Sequence, residues 1–173
     1  MNAGARAAGR CLARPPLLVN ESNSSGGHLT RRTHIGGHIM STAPSGVTVE
    51  TLDAFAGAWN RHDVDAIMSF MSDDCVFESS AGPEVCGTRS VGREAVRAAY
   101  VEVWKTFPDA QWAGARHFVC GNRGVSEWTF TGTRTDGTRV EVHGCDLFTF
   151  RGGKISLKDS YRKNRPPVAG PKG

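Results

Sequence analysis

The first place to look for chemistry in this 173-residue chain is the run Arg139–Phe150. If that run is a strand, Val140, Val142, Gly144, Asp146, Phe148 and Phe150 share one face, and Asp146 interrupts an apolar row. A carboxyl group held in apolar surroundings resists ionisation, so it can act as an acid or a hydrogen-bond donor near neutral pH. The plainer alternative is a carboxyl that hydrogen-bonds a neighbour inside the fold. The next run, Lys154–Lys163, offers a second candidate, because simple alternation places Ile155, Leu157, Asp159 and Tyr161 together and turns Asp159 inward. The histidines are less promising: His143 shares a face with Glu141 and Cys145, opposite Asp146; His117 has no matched partner; His62 stands at a helix end, where capping suits it. Five cysteines, Cys11, Cys75, Cys86, Cys120 and Cys145, form an odd set without a CxxC pair. That spacing predicts neither a disulfide framework nor a metal site, and the thiols read as small side chains in a reducing, cytoplasmic setting.

The elements that must position these groups follow from periodicity. Val49, Leu52, Phe55, Ala56 and Trp59 recur at helical spacing within Val47–Asn60, and the polar step Asn60-Arg61-His62 ends that helix. Asp63 caps a short second helix carrying Val64, Ile67, Met68, Phe70 and Met71. Cys75–Glu78 is a short strand closed by Gly82-Pro83, and Gly92–Phe107 is a helix with Val96, Ala99, Tyr100, Val103 and Trp104 on one stripe. Four β-type runs follow, Ala110–Cys120, Val125–Thr133, Arg139–Phe150 and Lys154–Lys163, joined by turn sequences such as Asp136-Gly137 and Gly152-Gly153. Helices early and a meander late predict an α+β fold with an antiparallel sheet covered by helices on one face.

Charge is unevenly spread. Of 21 basic and 17 acidic side chains, residues 1–46 hold five arginines and one glutamate, so 16 of each remain in the rest. The remainder has no bulk field to attract phosphates, and a nucleic-acid partner is not expected. No apolar run approaches the ~18 residues of a membrane span, so no membrane partner is expected. The Gly-, Ser-, Ala- and Arg-rich residues 1–46 are predicted to be a disordered leader, in which His28, His34 and His38 are solvated. Met40 opens a natural short leader, MSTAPSG, and the preceding residues read as an upstream extension, with a transit segment as the alternative. The folded domain is placed at 47–163, with a flexible tail at 164–173.

Three stretches carry a resemblance: Ala58-Trp59-Asn60-Arg61-His62-Asp63-Val64-Asp65-Ala66-Ile67, Ser72-Asp73-Asp74-Cys75-Val76-Phe77-Glu78, and Gly144 through Ile155. In order and spacing they resemble the SnoaL-like branch of the nuclear-transport-factor-two superfamily. That resemblance implies a cone-shaped, curved antiparallel sheet with helices packed on its concave face and an internal pocket. The superfamily includes isomerases, polyketide cyclases, epoxide hydrolases, dehydratases and binding domains, so the fold does not fix the chemistry. A ketosteroid isomerase places a protonated Asp as oxyanion donor where Asp146 stands. Its general base corresponds to Ser79 and its helix tyrosine to Phe55, so the familiar steroid route is not expected. Alignment to isomerases and to limonene-epoxide-hydrolase-like relatives turns Lys158, Ser160 and Arg162 inward instead of Asp159, with Ser160 where the hydrolase has a catalytic Asp. Glu127, Trp128 and Thr129 stand where that hydrolase keeps an Arg and Asp pair, which disfavours epoxide hydrolysis.

Two functions follow as expectations. One is a cofactor-independent isomerase or cyclase working by proton transfer, with Asp146 as acid or oxyanion donor and Ser79, Lys158 or Asp159 assisting. The other is a non-catalytic ligand-binding or dimerisation module, which a cavity blocked by Trp59, Trp104 and Trp128 would favour. In either case the expected partners are a small apolar molecule and a second copy in a homodimer, with Phe55, Trp59, Phe77, Tyr100, Trp104, Trp128 and Phe148 as pocket wall. The dimer face would be the side of the sheet bearing Cys145, Leu147 and Tyr161.

Overall fold

The structure is a computed structural model that describes residues 46–166. The predicted leader and tail fall, apart from residue 46 and residues 164–166, outside the described residues.

Helix α1 (Val49–Asn60) begins at a reciprocal cap: the Thr48 side chain accepts from the Thr51 amide at 3.3 Å, and the Thr51 hydroxyl accepts from the Thr48 amide at 3.2 Å. Its buried stripe is Leu52, Phe55, Ala58 and Trp59. The helix ends where His62 takes a left-handed φ of 56°, a conformation fixed from outside the turn. The His62 ring stacks on Trp104 at 5.1 Å, and its Nε2 lies 3.0 Å from the Ala110 carbonyl oxygen. Asp63 then caps α2 (Val64–Phe70) by accepting from the Ala66 amide at 3.0 Å. Helix α3 spans Arg93–Thr106.

The strands are β1 (Met71–Glu78), β2 (Arg89–Val91), β3 (Gln111–Cys120), β4 (Arg123–Thr133), β5 (Arg139–Arg151) and β6 (Lys154–Arg162). They form one unclosed sheet in the order β2-β1-β6-β5-β4-β3, curved and mostly antiparallel. The α+β cone expected from the sequence is therefore present, with three corrections. β1 starts four residues earlier than expected, at Met71. The short strand β2 lacks an alternating apolar pattern and is held only by pairing with β1. And β1 pairs with β6 in parallel, closing one flank through the chain's first and last strands.

The helices cover the face that carries Phe148 and Phe150, which join Leu52, Phe55, Trp59, Ile67, Val96 and Tyr100 in one buried cluster. Asn60 ties α1 to the far edge of the sheet. Its Nδ2 donates to the Trp112 carbonyl at 3.0 Å and its Oδ1 accepts from the Trp112 amide at 2.8 Å, occupying both backbone groups of that β3 residue. Immediately after, β3 bulges between Ala113 and Arg116, with Gly114 at φ 63°.

Candidate functional site

The register places a polar row across the covered face of the sheet. His117 of β3 pairs with Ser126 of β4, Ser126 with Asp146 of β5, and Asp146 with Ser160 of β6. Asp146 is buried and accepts three hydrogen bonds: from Lys158 Nζ at 2.7 Å and Ser160 Oγ at 2.6 Å on Oδ1, and from Trp128 Nε1 at 3.0 Å on Oδ2. Every neighbour is a donor. The carboxyl group is thus an acceptor at the centre of a network, an arrangement opposite to that of an oxyanion donor.

Two local features build this network. Gly144 pairs with Trp128 across β4 and β5, and a Cβ on it would lie 2.4 Å from the indole ring; its absence lets the indole cross β5 and reach Asp146. A bulge between Thr149 and Phe150 shifts the phase of β6. Ile155 pairs with Phe150 on the inner face, but after the shift Lys158 pairs with Phe148 and Ser160 with Asp146, so Lys158, Ser160 and Arg162 turn inward. Simple alternation fails at this point: Asp159 lies on the opposite face, where Tyr161 Oη donates to its Oδ2 at 2.9 Å, and it does not line the cavity.

A cavity of about 410 Å³ opens between α3, the β1–β2 loop and the sheet. Of the candidates named from sequence, Trp59, Phe77, Ser79, Trp128, Lys158 and Ser160 line it. Four others do not. Phe55 and Phe148 meet edge to face at 5.8 Å in the core beneath it. Tyr100 is fully buried, with its hydroxyl donating to Met71 Sδ at 3.9 Å, and desolvation pushes its phenol well above the ordinary value, so it keeps its proton near neutrality. Trp104 packs against Trp59 and His62 outside the cavity wall. Asp146 itself sits behind the cavity, against a void of about 20 Å³ that Lys158, Trp59 and Trp128 also border. Lys158 therefore stands between Asp146 and the cavity.

Lys158 Nζ donates to Asp146 and, at 2.7 Å, to Ser160 Oγ. An ammonium group has three N–H donors, and the third has no hydrogen-bond partner among the described residues. Around it stand the rings of Phe77 and Trp59, with centroids 5.0 Å and 5.4 Å from Nζ. These rings stabilise the cation by their negative faces without consuming the donor.

His117 completes the row at its β3 end. Its Nδ1 lies 2.7 Å from Ser126 Oγ and its Nε2 3.9 Å from Asp53, a Ser-His-Asp order that the sequence reading missed because the three residues come from different elements. Burial pulls the imidazole below its ordinary value, against the weaker pull of Asp53 and Asp146. The 20 Å³ void beside Ser126 has room for roughly one water and none for an acyl group, so nucleophilic catalysis is not its use. Among the described residues no cluster of His, Cys, Asp and Glu gathers that could hold a metal, and no helix is long and apolar enough to cross a membrane.

Residues 52–157 match the family model of the SnoaL-like domain. Solved structures share the fold. A candidate polyketide cyclase from Xanthomonas campestris pv. campestris is 22% identical, with a TM-score of 0.58 over 65% of this chain and 87% of that one. TerC, co-crystallised with polyporic acid, is 21% identical, with a TM-score of 0.56 over 66% of this chain and 90% of that one. An NTF2-like protein of unknown function from Mesorhizobium loti is 26% identical, with a TM-score of 0.56 over 66% and 89%. No curated protein matches the sequence.

Proposed function

Because the chain belongs to the SnoaL-like domain family, we propose that it binds a small, largely apolar carbonyl compound in the 410 Å³ cavity and promotes its enolisation without a cofactor, as in an isomerase or cyclase. The observation that carries this reading is the third N–H of Lys158, held among aromatic rings and without a hydrogen-bond partner among the described residues. In this reading Lys158 is the catalytic residue. It donates to the ligand's carbonyl oxygen and stabilises the negative charge that gathers there as a C–H proton departs to water. Asp146 is a positioning residue, which with Ser160 fixes the ammonium group and balances its charge. Ser79 and Ser160 contribute hydroxyls to the wall.

The chemistry suits a substrate whose C–H is already acidic, such as a 1,3-dicarbonyl. Among the described residues Glu102 is the only carboxylate on the cavity wall, and Lys105 engages it at 3.1 Å. With no strong base, the site lowers the barrier by stabilising the enolate. That same scarcity favours a second reading, in which the cavity binds its ligand without turning it over. Deuterium exchange at the methylene of dibenzoylmethane, followed by NMR, separates the two. Catalysis predicts exchange ~10²–10³-fold faster than with the Asp146→Leu/Lys158→Met double variant, the size of one oxyanion donor; equal rates leave only binding.

The homodimer belongs to the same proposal. Among the described residues no helix covers the sheet face that bears Tyr161, half-exposed at 51%, and the half-buried Cys145 and Leu147. A second copy pairing through this face would shelter them. Light scattering that finds a monomer at tens of micromolar contradicts this arrangement.

A further inference from the structure

Arg162 lies on the inner face of β6, two positions beyond Ser160 and four beyond Lys158, opposite Gly144. At roughly 3.3 Å per residue, its Cα is about 13 Å from that of Lys158, which puts it at the mouth of the cavity whose floor Lys158 forms. The residue is exposed to solvent and lines the cavity. Its Nε donates to Ser80 Oγ at 2.8 Å, and its guanidinium carbon lies 5.4 Å from the centroid of the Phe130 ring. The two Nη groups have no hydrogen-bond partner among the described residues. Among the described residues no carboxylate pairs with it, whereas Arg89, Arg93, Arg97, Arg116 and Arg151 each have one.

A second cation stands close by. Arg134 lies 5.1 Å over the Phe107 ring, and Phe107 meets Phe130 edge to face at 5.2 Å, so two arginines sit on an adjoining pair of rings. Arg134 likewise has no carboxylate in ion-pair range among the described residues. Partial desolvation, and then the charge of Arg134, hold the Arg162 guanidinium below its ordinary value. At the floor, by contrast, Asp146 neutralises Lys158. The cavity is thus neutral at its base, aromatic along its walls and positive at its mouth.

We propose that the ligand is an aromatic or polycyclic carboxylate, its carboxylate received end-on by the two free Nη groups of Arg162 and its ring system lying against Trp59, Phe77, Trp112 and Phe130. This rests on the reading of the cavity as a ligand site and adds the charge class of what enters it. An end-on guanidinium–carboxylate pair gives two parallel charge-assisted hydrogen bonds, which an ammonium or a hydroxyl cannot reproduce. The stacking of Arg162 on the Phe130 ring keeps its charge at the mouth without neutralising it.

The test compares 2-naphthoate with 2-naphthamide, equal in shape and different in charge, by calorimetric titration of the full chain and of Arg162→Gln. Wild type is expected to bind the carboxylate about 10-fold or more tighter than the amide. Arg162→Gln is expected to bring the two within about twofold while leaving the amide's affinity in place, which also reports an intact cavity. No preference in wild type overturns the inference, and so does a preference that survives Arg162→Gln. If neither compound binds wild type at millimolar concentration, the reading of the cavity as a ligand site falls, and this inference with it.

Discussion

Removing one partner of the Asp146–Lys158 pair should be far more damaging than removing both. Both side chains are buried, at 5% exposure each, and the contact is 2.7 Å. Lys158→Met leaves the Asp146 carboxylate with only Trp128 Nε1 and Ser160 Oγ as donors in a site without bulk water. Stranding one charge of such a pair costs ~3–5 kcal/mol. Asp146→Leu strands the ammonium group instead, retaining only the Ser160 contact and the two rings, with a loss of similar size. The double variant Asp146→Leu/Lys158→Met replaces the pair by apolar groups of comparable volume and should lie within ~1 kcal/mol of wild type or above it. The cycle therefore predicts a coupling energy of about 5 kcal/mol or more. Urea denaturation of the four proteins reads it directly: with a slope of ~1–3 kcal/mol per molar, each single variant moves its midpoint by roughly 1–5 M and the double variant moves it back. Additive losses within ~0.5 kcal/mol would refute the reasoning, because they would mean that the two groups are hydrated independently.

Two further perturbations probe the rest of the polar row. Gly144→Ala puts a methyl group 2.4 Å from both the Trp128 ring and the Tyr161 carbonyl oxygen, and since the latter is backbone the strain cannot relax locally. A loss of ~1–3 kcal/mol is expected, together with a changed near-ultraviolet circular dichroism signal as the indole leaves Asp146; an unchanged signal contradicts the packing described. His117 is held below its ordinary value near 6.5 by burial, so the unfolded chain takes up that proton more readily than the folded one. The stability His117 contributes is complete above about 6.5 and is lost as pH falls below it. Urea midpoints of wild type and His117→Asn should converge between about pH 7.5 and pH 5.5, and a constant gap would show that His117 titrates freely.

Element types were legible from periodicity because α1, α3, β4 and β5 each bury a regular stripe. The inward place of Asp146 was legible for the same reason: β5 alternates without interruption from Val140 to Phe148, and Asp146 stands in phase with Phe148. The last strand was not readable this way. The extra residue at the bulge reverses its phase, and nothing in Lys154–Arg162 marks that bulge, so alternation favoured Asp159 while Lys158 and Ser160 face the cavity. Only likeness to relatives pointed to Lys158, Ser160 and Arg162. The roles within the network depend on register, which local patterns do not encode. Gly144 beside Trp128 and Ser126 beside His117 become meaningful once β3, β4 and β5 are aligned. The same holds for the parallel β1–β6 pairing, where two distant runs meet with no turn between them to announce it. The aromatic residues sorted by depth: Trp59, Phe77 and Trp128 reach the cavity, while Phe55, Tyr100 and Phe148 fill the core below, a distinction of a few ångströms that residue type does not carry.

The central claim is that Lys158 offers a free N–H to an oxygen that gains negative charge in the cavity. Bound dibenzoylmethane reports this directly, because its enolate absorbs at longer wavelength than its enol and an ultraviolet pH titration gives the proportion of each. A cation within ~4–6 Å lowers an acid's apparent pKa by ~1–3 units. The account predicts that the bound probe ionises at least about one unit lower than in water with wild type, and that this shift disappears in the stable Asp146→Leu/Lys158→Met variant. A bound probe that titrates as it does in water, or one whose shift survives the double variant, would contradict it.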